Sequence, residues 1–211
     1  LTVIESFVFA DNKLTKVTIP KNIKVIEQYA FIDNALTSVS LKYGLTSIGQ
    51  HAFDMNRLTS IIIPDSVTAM GPYVFANNKL KSVQISKNIK VLKEAAFANN
   101  ALSSITIPSK VTTISNGAFF NNKLTKLTVP ANVQSVEFSS VLMNPLKTIT
   151  LQGKKTTIIK SADINKASAK YEFGINTKPL NNLYTTSKYT KAFAKWNQPQ
   201  TTPTTLYVRW K

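Results

Sequence analysis

The chain has 211 residues, with 26 lysines and arginines against 10 carboxylates, and no cysteine. That composition excludes disulfides, thiolate catalysis and cysteine metal sites, and no apolar run reaches the ~18 residues of a transmembrane helix. A net charge of +16 favours attraction to polyanions such as nucleic acid, acidic polysaccharide or cell-wall polymer, or serves solubility alone.

The first residues already belong to a pattern. Leu1 and Ile4 sit in apolar columns that continue at Ile23 and Ile26, 22 residues on. There is no initiator methionine and no signal peptide. The expectation is a piece of a longer chain, cut within an array, whose missing leader says nothing about secretion.

From there one unit recurs at a fixed step of 22. An aromatic column reads Phe9, Phe31, Phe53, Phe75, Phe97 and Phe119, ending at Val141. Three residues later stands an unbroken asparagine column, Asn12, Asn34, Asn56, Asn78, Asn100, Asn122 and Asn144. Two further on is an unbroken leucine column, from Leu14 to Leu146. Two more apolar columns follow, from Val17 to Ile149 and from Ile19 to Leu151. Their spacing of two and their β-branched content predict a short strand. Pro20, Pro64, Pro108 and Pro130 end four of these strands, because proline has no N–H for a ladder. The Ala-Phe end of each unit predicts a short turn or 3-10 segment that drops a ring inside. One short strand per fixed repeat means parallel strands stacked rung on rung in a solenoid, since a single unit cannot bury its apolar face alone. Asparagine side chains bond the backbone of tight turns and tolerate unusual dihedrals, so the asparagine column reads as a structural ladder between rungs.

The unit Leu-Thr-Ser-Ile-x-Ile-Pro-x-x-Val-x-x-Ile-x-x-x-Ala-Phe-x-x-Asn resembles the leucine-rich repeat of Treponema/BspA-like bacterial surface proteins. The resemblance covers residues 1–152. It departs from the family in carrying Asn in place of the usual Cys and in being a residue shorter before the leucine. It implies a leucine-rich repeat solenoid, and a bacterial protein that is secreted or held at the cell surface.

Strand positions that alternate with buried columns point outward. One outward column reads Lys16, Ser38, Ser60, Ser82, Ser104, Lys126 and Thr148; the other reads Thr18, Ser40, Ile62, Gln84, Thr106, Thr128 and Thr150. Residues Lys16 to Lys126 of this hydroxyl-rich face are the candidate ligand-binding residues. The alternative is a plain sheet whose Ser and Thr are there for β propensity. A column just before each strand reads Lys13, Ala35, Arg57, Lys79, Ala101 and Lys123, and PKNIKVI and SKNIKVL stand 66 residues apart. Three repeats thus read as having duplicated together. Lys21, Lys24, Lys87, Lys90 and Lys93 form a further basic cluster after the strands. On sequence alone the lysines look spread around the coil. Arginine and stacking aromatics are sparse, which argues against sequence-specific nucleic-acid reading.

Beyond Gly153 the register decays, although Lys155 and Ile158 still occupy repeat columns. Residues 153–211 are expected to form a basic C-terminal cap and linker. Within it, Ser187–Trp196 reads as a short helix, with Ser187 as N-cap and Tyr189, Ala192, Phe193 and Trp196 on one face that plugs the solenoid end. Residues 197–205, with Pro199 and Pro203, read as a turn or linker. Leu206–Trp210 reads as a strand, and TTLYVRW resembles the last strand of a Listeria–Bacteroides-type surface repeat. Lys154, Lys155 and Lys160 join Lys87, Lys90 and Lys93 as candidate polyanion-binding residues.

No catalytic constellation competes with the array. His51 is the one histidine and reads as a partly exposed loop residue, with no second His or Cys to complete a metal site or triad. Asp11, Asp33 and Asp54 lack the dense oxygen ligation of a Ca²⁺ site. The six glycines form no phosphate loop. No enzyme activity and no cofactor are expected. The expectation is an extracellular module that binds host protein or glycan, as in adhesion. The alternatives are electrostatic anchoring to an anionic polysaccharide and a passive spacer for a neighbouring domain.

Overall fold

The computed structural model describes residues 1–152, 157–159, 171–175 and 204–210. The fixed step of the sequence becomes a coil of parallel rungs. Lys16–Thr18 pairs in parallel with Ser38–Ser40, Ser60–Ile62 with Ser82–Gln84, and Lys126–Val129 with Thr148–Leu151. Each residue faces its equivalent 22 positions on, as in Val17 with Val39 and Leu127 with Ile149.

Each turn of the coil carries a second, shorter strand that the sequence pattern did not announce. Val3–Ile4, Val25–Ile26, Ser47–Ile48 and Ala69–Met70 form one parallel sheet. Val91–Leu92, Thr113–Ile114, Ser135–Glu137 and Thr157–Ile159 form another. Two-residue strands show no alternation of their own, so only the apolar column Ile26/Ile48/Met70 marks them. The expected strand is also missing from the fifth rung, where 104–106 joins no ladder. Between the two strands the chain turns a corner. Pro20, Pro64, Pro108 and Pro130 each accept the N–H of the residue three on. In the fourth rung Ser86 stands at this corner, fully buried, and its hydroxyl donates to Val67 O at 2.6 Å.

The third side is the turn before each asparagine, with a single 3-10 segment, Phe138–Val141, in the seventh rung. It holds two left-handed residues in each of the first six rungs, for example Tyr73 at φ 56° and Asn77 at φ 50°, and one, Met143, in the seventh. Such dihedrals are costly for side chains other than Asn and Asp. Here they are held by backbone bonds to the next rung, as in Tyr29 N–H to Gln50 O at 2.8 Å and Asp33 N–H to Asp54 O at 3.1 Å.

The core is one continuous stack. Phe31, Phe53, Phe75, Phe97 and Phe119 are fully buried, with neighbouring ring centroids 5.2 to 5.9 Å apart and planes within 9° of parallel. At the first rung the stack opens, and Phe9 is 41% exposed. Beside the rings run the asparagine amides. Asn78 Nδ2 donates to the carbonyls of Phe53 (2.9 Å), Phe75 (3.3 Å) and Ala76 (2.9 Å), and its Oδ1 accepts the Leu58 N–H at 2.9 Å. One side chain thereby closes its own turn and reaches back one rung. The same pattern recurs at Asn34, Asn56, Asn100, Asn122 and Asn144. Asn12 makes only a local bond to Ala10 O, at 2.8 Å.

After the array, Thr204–Trp210 runs antiparallel to Thr148–Leu151 on one side and to Tyr171–Ile175 on the other. The strand expected at Leu206–Trp210 is thus present, two residues longer. The helix expected at Ser187–Trp196 lies outside the described residues.

Candidate binding face

Parallel in-register pairing turns sequence columns into surface stripes. Lys16, Thr18, Ser38, Ser60, Ile62, Ser82, Gln84, Ser104, Thr106 and Lys126 are exposed, and Ser40 is half-buried. All eleven therefore lie on the strand side of the coil, whose inward partners Ile19, Ile61, Ile63 and Leu127 are buried. Ile62, 64% exposed, is the large apolar residue among them.

The bend leading into each strand adds two more exposed stripes. One holds Lys13, Arg57, Lys79 and Lys123; the next holds Lys81 and Lys147. Together with Lys16 and Lys126, these strand and approach columns carry eight of the fifteen basic residues in 1–152 and no carboxylate, the nearest acids being the exposed Asp11 and Asp33, two residues before the Lys13 column. The remaining surface of the array carries seven basic residues and all eight acids. The cations are thus found around the coil, eight here and seven elsewhere, and it is the acids that are unevenly placed. Sequence distance hid this, because Arg57, Lys79 and Lys123 become neighbours only through the rung step. Among the described residues none of the eight cations forms an ion pair.

The other basic candidates have different surroundings. Lys87 lies 3.5 Å from Asp65, which also accepts the Lys87 N–H at 2.8 Å. That backbone bond, with the charges of Lys87 and Lys110, holds the Asp65 carboxyl below its usual range. Lys90 and Lys93 are exposed on the same side as Glu94. Lys154, Lys155 and Lys160 lie outside the described residues.

His51 is partly exposed in a turn, as the sequence suggested, yet both faces of its ring are covered. Its ring is sandwiched between Tyr29 and Tyr73, with centroids at 5.0 and 4.6 Å, and Phe7 stacks on Tyr29 at 4.7 Å. Its Nδ1 lies 2.7 Å from the buried Asp54 carboxylate. Asp54 also accepts from Met55 N–H at 2.8 Å and Asn77 Nδ2 at 2.9 Å. An amide chain continues from Asn77 to Asn99 and Asn121. The Tyr73 hydroxyl donates to Glu94 at 3.0 Å, and desolvation, followed by that carboxylate, raises its pKa. The ring stack was visible in sequence only as a mixed column, Tyr29, His51, Tyr73, Ala95. Tyr29 and His51 each have a ring on both faces, and Asp54 is consumed by three donors, so this ladder reads as structure. Among the described residues no three His, Asp or Glu side chains are grouped to hold a metal. No helix among them is long and apolar enough to cross a membrane.

Residues 2–124 and 68–184 match the BspA type leucine rich repeat region, in six copies. Among solved structures, the pneumococcal vaccine antigen PcpA is similar at 19% identity over 78% of this chain and 53% of that one, with a TM-score of 0.55. A leucine-rich repeat protein from Bacteroides ovatus ATCC 8483 is similar at 20% identity over 77% and 56%, with a TM-score of 0.51. A leucine rich cell surface protein from Faecalibacterium prausnitzii A2-165 aligns at 21% identity over 74% and 62%, with a TM-score of 0.44. The chain thus spans between about half and three-fifths of the length of these structures. No curated protein matches it. The match covers most of the chain, and the columns that carry it are those that build the rungs: the chain belongs to the BspA type leucine-rich repeat family.

Proposed function

We propose that this chain is the binding module of an extracellular bacterial surface protein, one that engages a host protein or glycan, as an adhesin does, through the strand side of its coil. It acts by binding rather than by catalysis. The observation that carries the reading is a division of labour within the repeat. Phe, Asn, Leu and the strand's inward residues are consumed by the core and its hydrogen bonds, while the outward columns are exposed and vary from rung to rung. On this reading residues 1–152 are the array and residues 153–211 a basic C-terminal cap and linker. Family membership and a fold shared with a pneumococcal vaccine antigen support the extracellular setting.

The test is binding of the purified chain to extracellular-matrix proteins and to a glycan array, repeated with Ile62→Asp/Gln84→Ala. Loss of binding in that variant with an unchanged melting temperature is the expected result. Full retention of every ligand by the folded variant overturns the strand side as the contact. A folded chain without any ligand makes the array a spacer.

A further inference from the structure

We infer that the strand side of the array takes a linear anionic polysaccharide, laid along the coil axis across the rungs. The inference rests on the reading above and names its ligand class. The carrying observation is the segregation of charge. All of the array's positive excess lies on the strand side and its approach bend, and the rest of the surface is close to neutral. A lysine-rich surface that served solubility alone has no need to keep its strand columns free of carboxylates while the acids begin in the turn before them, at Asp11 and Asp33.

The spacing fits a polymer of regular charge. Rungs advance about 4.8 Å, close to the advance of one pyranose ring, so each sugar unit meets one rung. Arg57, Lys79 and Lys81 lie on the third and fourth rungs, Lys123, Lys126 and Lys147 on the sixth and seventh, spanning about 19 Å. Arg57 and Lys123 are 66 residues apart, as are Lys81 and Lys147, so the cation placement repeats every three rungs, about 14 Å. The fifth rung between them presents Ser103, Ser104 and Thr106, all exposed, whose hydroxyls suit sugar hydroxyls. Ile62 adds an apolar contact for the C–H face of a ring. Nucleic acid suits the surface less well. It offers one guanidinium and no aromatic ring, whereas single strands are held by base stacking on aromatics.

The experiment uses the full chain with heparin, hyaluronate, neutral dextran and a thymidine oligonucleotide of charge matched to the heparin. The expected result is binding to the acidic polysaccharides, not to dextran, weakening as salt rises. An exposed ion contact is worth up to about fivefold in affinity. Replacing four, as K79Q/K81Q/K123Q/K126Q, should therefore weaken heparin binding by ~fourfold or more, with the melting temperature unchanged. K87Q/K90Q/K93Q and K154Q/K155Q/K160Q should each change it less than ~twofold. Unchanged heparin binding by the strand-side variant overturns the inference, as does loss confined to the tail variant. Tighter binding to the oligonucleotide than to heparin makes the face a nucleic-acid surface instead. If acidic glycans fail while a protein or neutral glycan binds and is lost with Ile62→Asp/Gln84→Ala, this inference falls and the binding-module reading stands. If no ligand depends on the strand side, both fall.

Discussion

The Leu58 N–H is satisfied by the side chain of Asn78, 20 residues further along, at 2.9 Å. Both residues are buried. Asn78 therefore cements two rungs, with its amide nitrogen on three carbonyls and its oxygen on a donor that no backbone group reaches. Asn78→Ala leaves the buried Leu58 N–H without its acceptor, while the carbonyls of Phe53, Phe75 and Ala76 keep Asn56, Asn100 and the Met55 N–H as donors, and a loss of about 1–3 kcal/mol is expected from urea unfolding. Asn12→Ala, at an exposed site with one local bond, should cost under about 0.5 kcal/mol. Equal losses at the two sites would refute the bridging role.

Phe75 stacks between Phe53 and Phe97 at 5.5 and 5.8 Å and is fully buried. Truncation to alanine opens a cavity in the middle of the array, with an expected cost of about 3–5 kcal/mol. Phe9→Ala, at the open end, should cost clearly less. The comparison is read from paired thermal and urea melts.

Gly71 is required by closeness rather than by its dihedral. A Cβ there would stand 2.3 Å from Gln50 N, in the backbone of the preceding rung. Gly71→Ala should therefore destabilise by about 1–3 kcal/mol, as overpacking does. Gly117, at φ 64°, has its nearest neighbours at 3.8 Å, and Ala95 occupies the same column at φ 49°. Gly117→Ala should cost only the left-handed penalty of about 1–2 kcal/mol. A larger loss at Gly117 than at Gly71 would contradict this ordering.

Two groups set opposite pH limits. The Asp65 carboxyl is depressed by the Lys87 N–H and charge. Its contribution is present above the carboxylate's unfolded pKa and is lost as acid brings the pH through the lower folded value. Asp65→Asn should flatten the acid limb of stability slightly, since the site is open to solvent. Tyr73 is shifted up by desolvation and Glu94. Its contribution is present below the ordinary tyrosine pKa of about 10 and is lost as pH rises through the folded value. Tyr73→Phe should remove one tyrosine step lying above the ordinary value from an ultraviolet alkaline titration.

Much of this protein was legible before folding. The 22-residue step, the buried rings at Phe31 to Phe119, the leucine column and the prolines at the strand ends all follow from local periodicity, because every rung repeats one environment. The outward columns from Lys16 to Lys126 were legible for the same reason. Three features were not, and each depends on contact between rungs. The two-residue strands such as Ser47–Ile48 are too short to show a period. The ring stack of Tyr29, His51 and Tyr73 exists only when residues 22 apart come within about 5 Å of each other. The joining of Arg57, Lys79, Lys81 and Lys123 to the acid-free strand columns appears only when the bend before each strand is seen to be continuous with the strand face. Sequence by itself determined what each rung is made of. Tertiary structure decided which residues of different rungs share a surface, because charge and stacking act across the few ångströms between rungs and not along the chain.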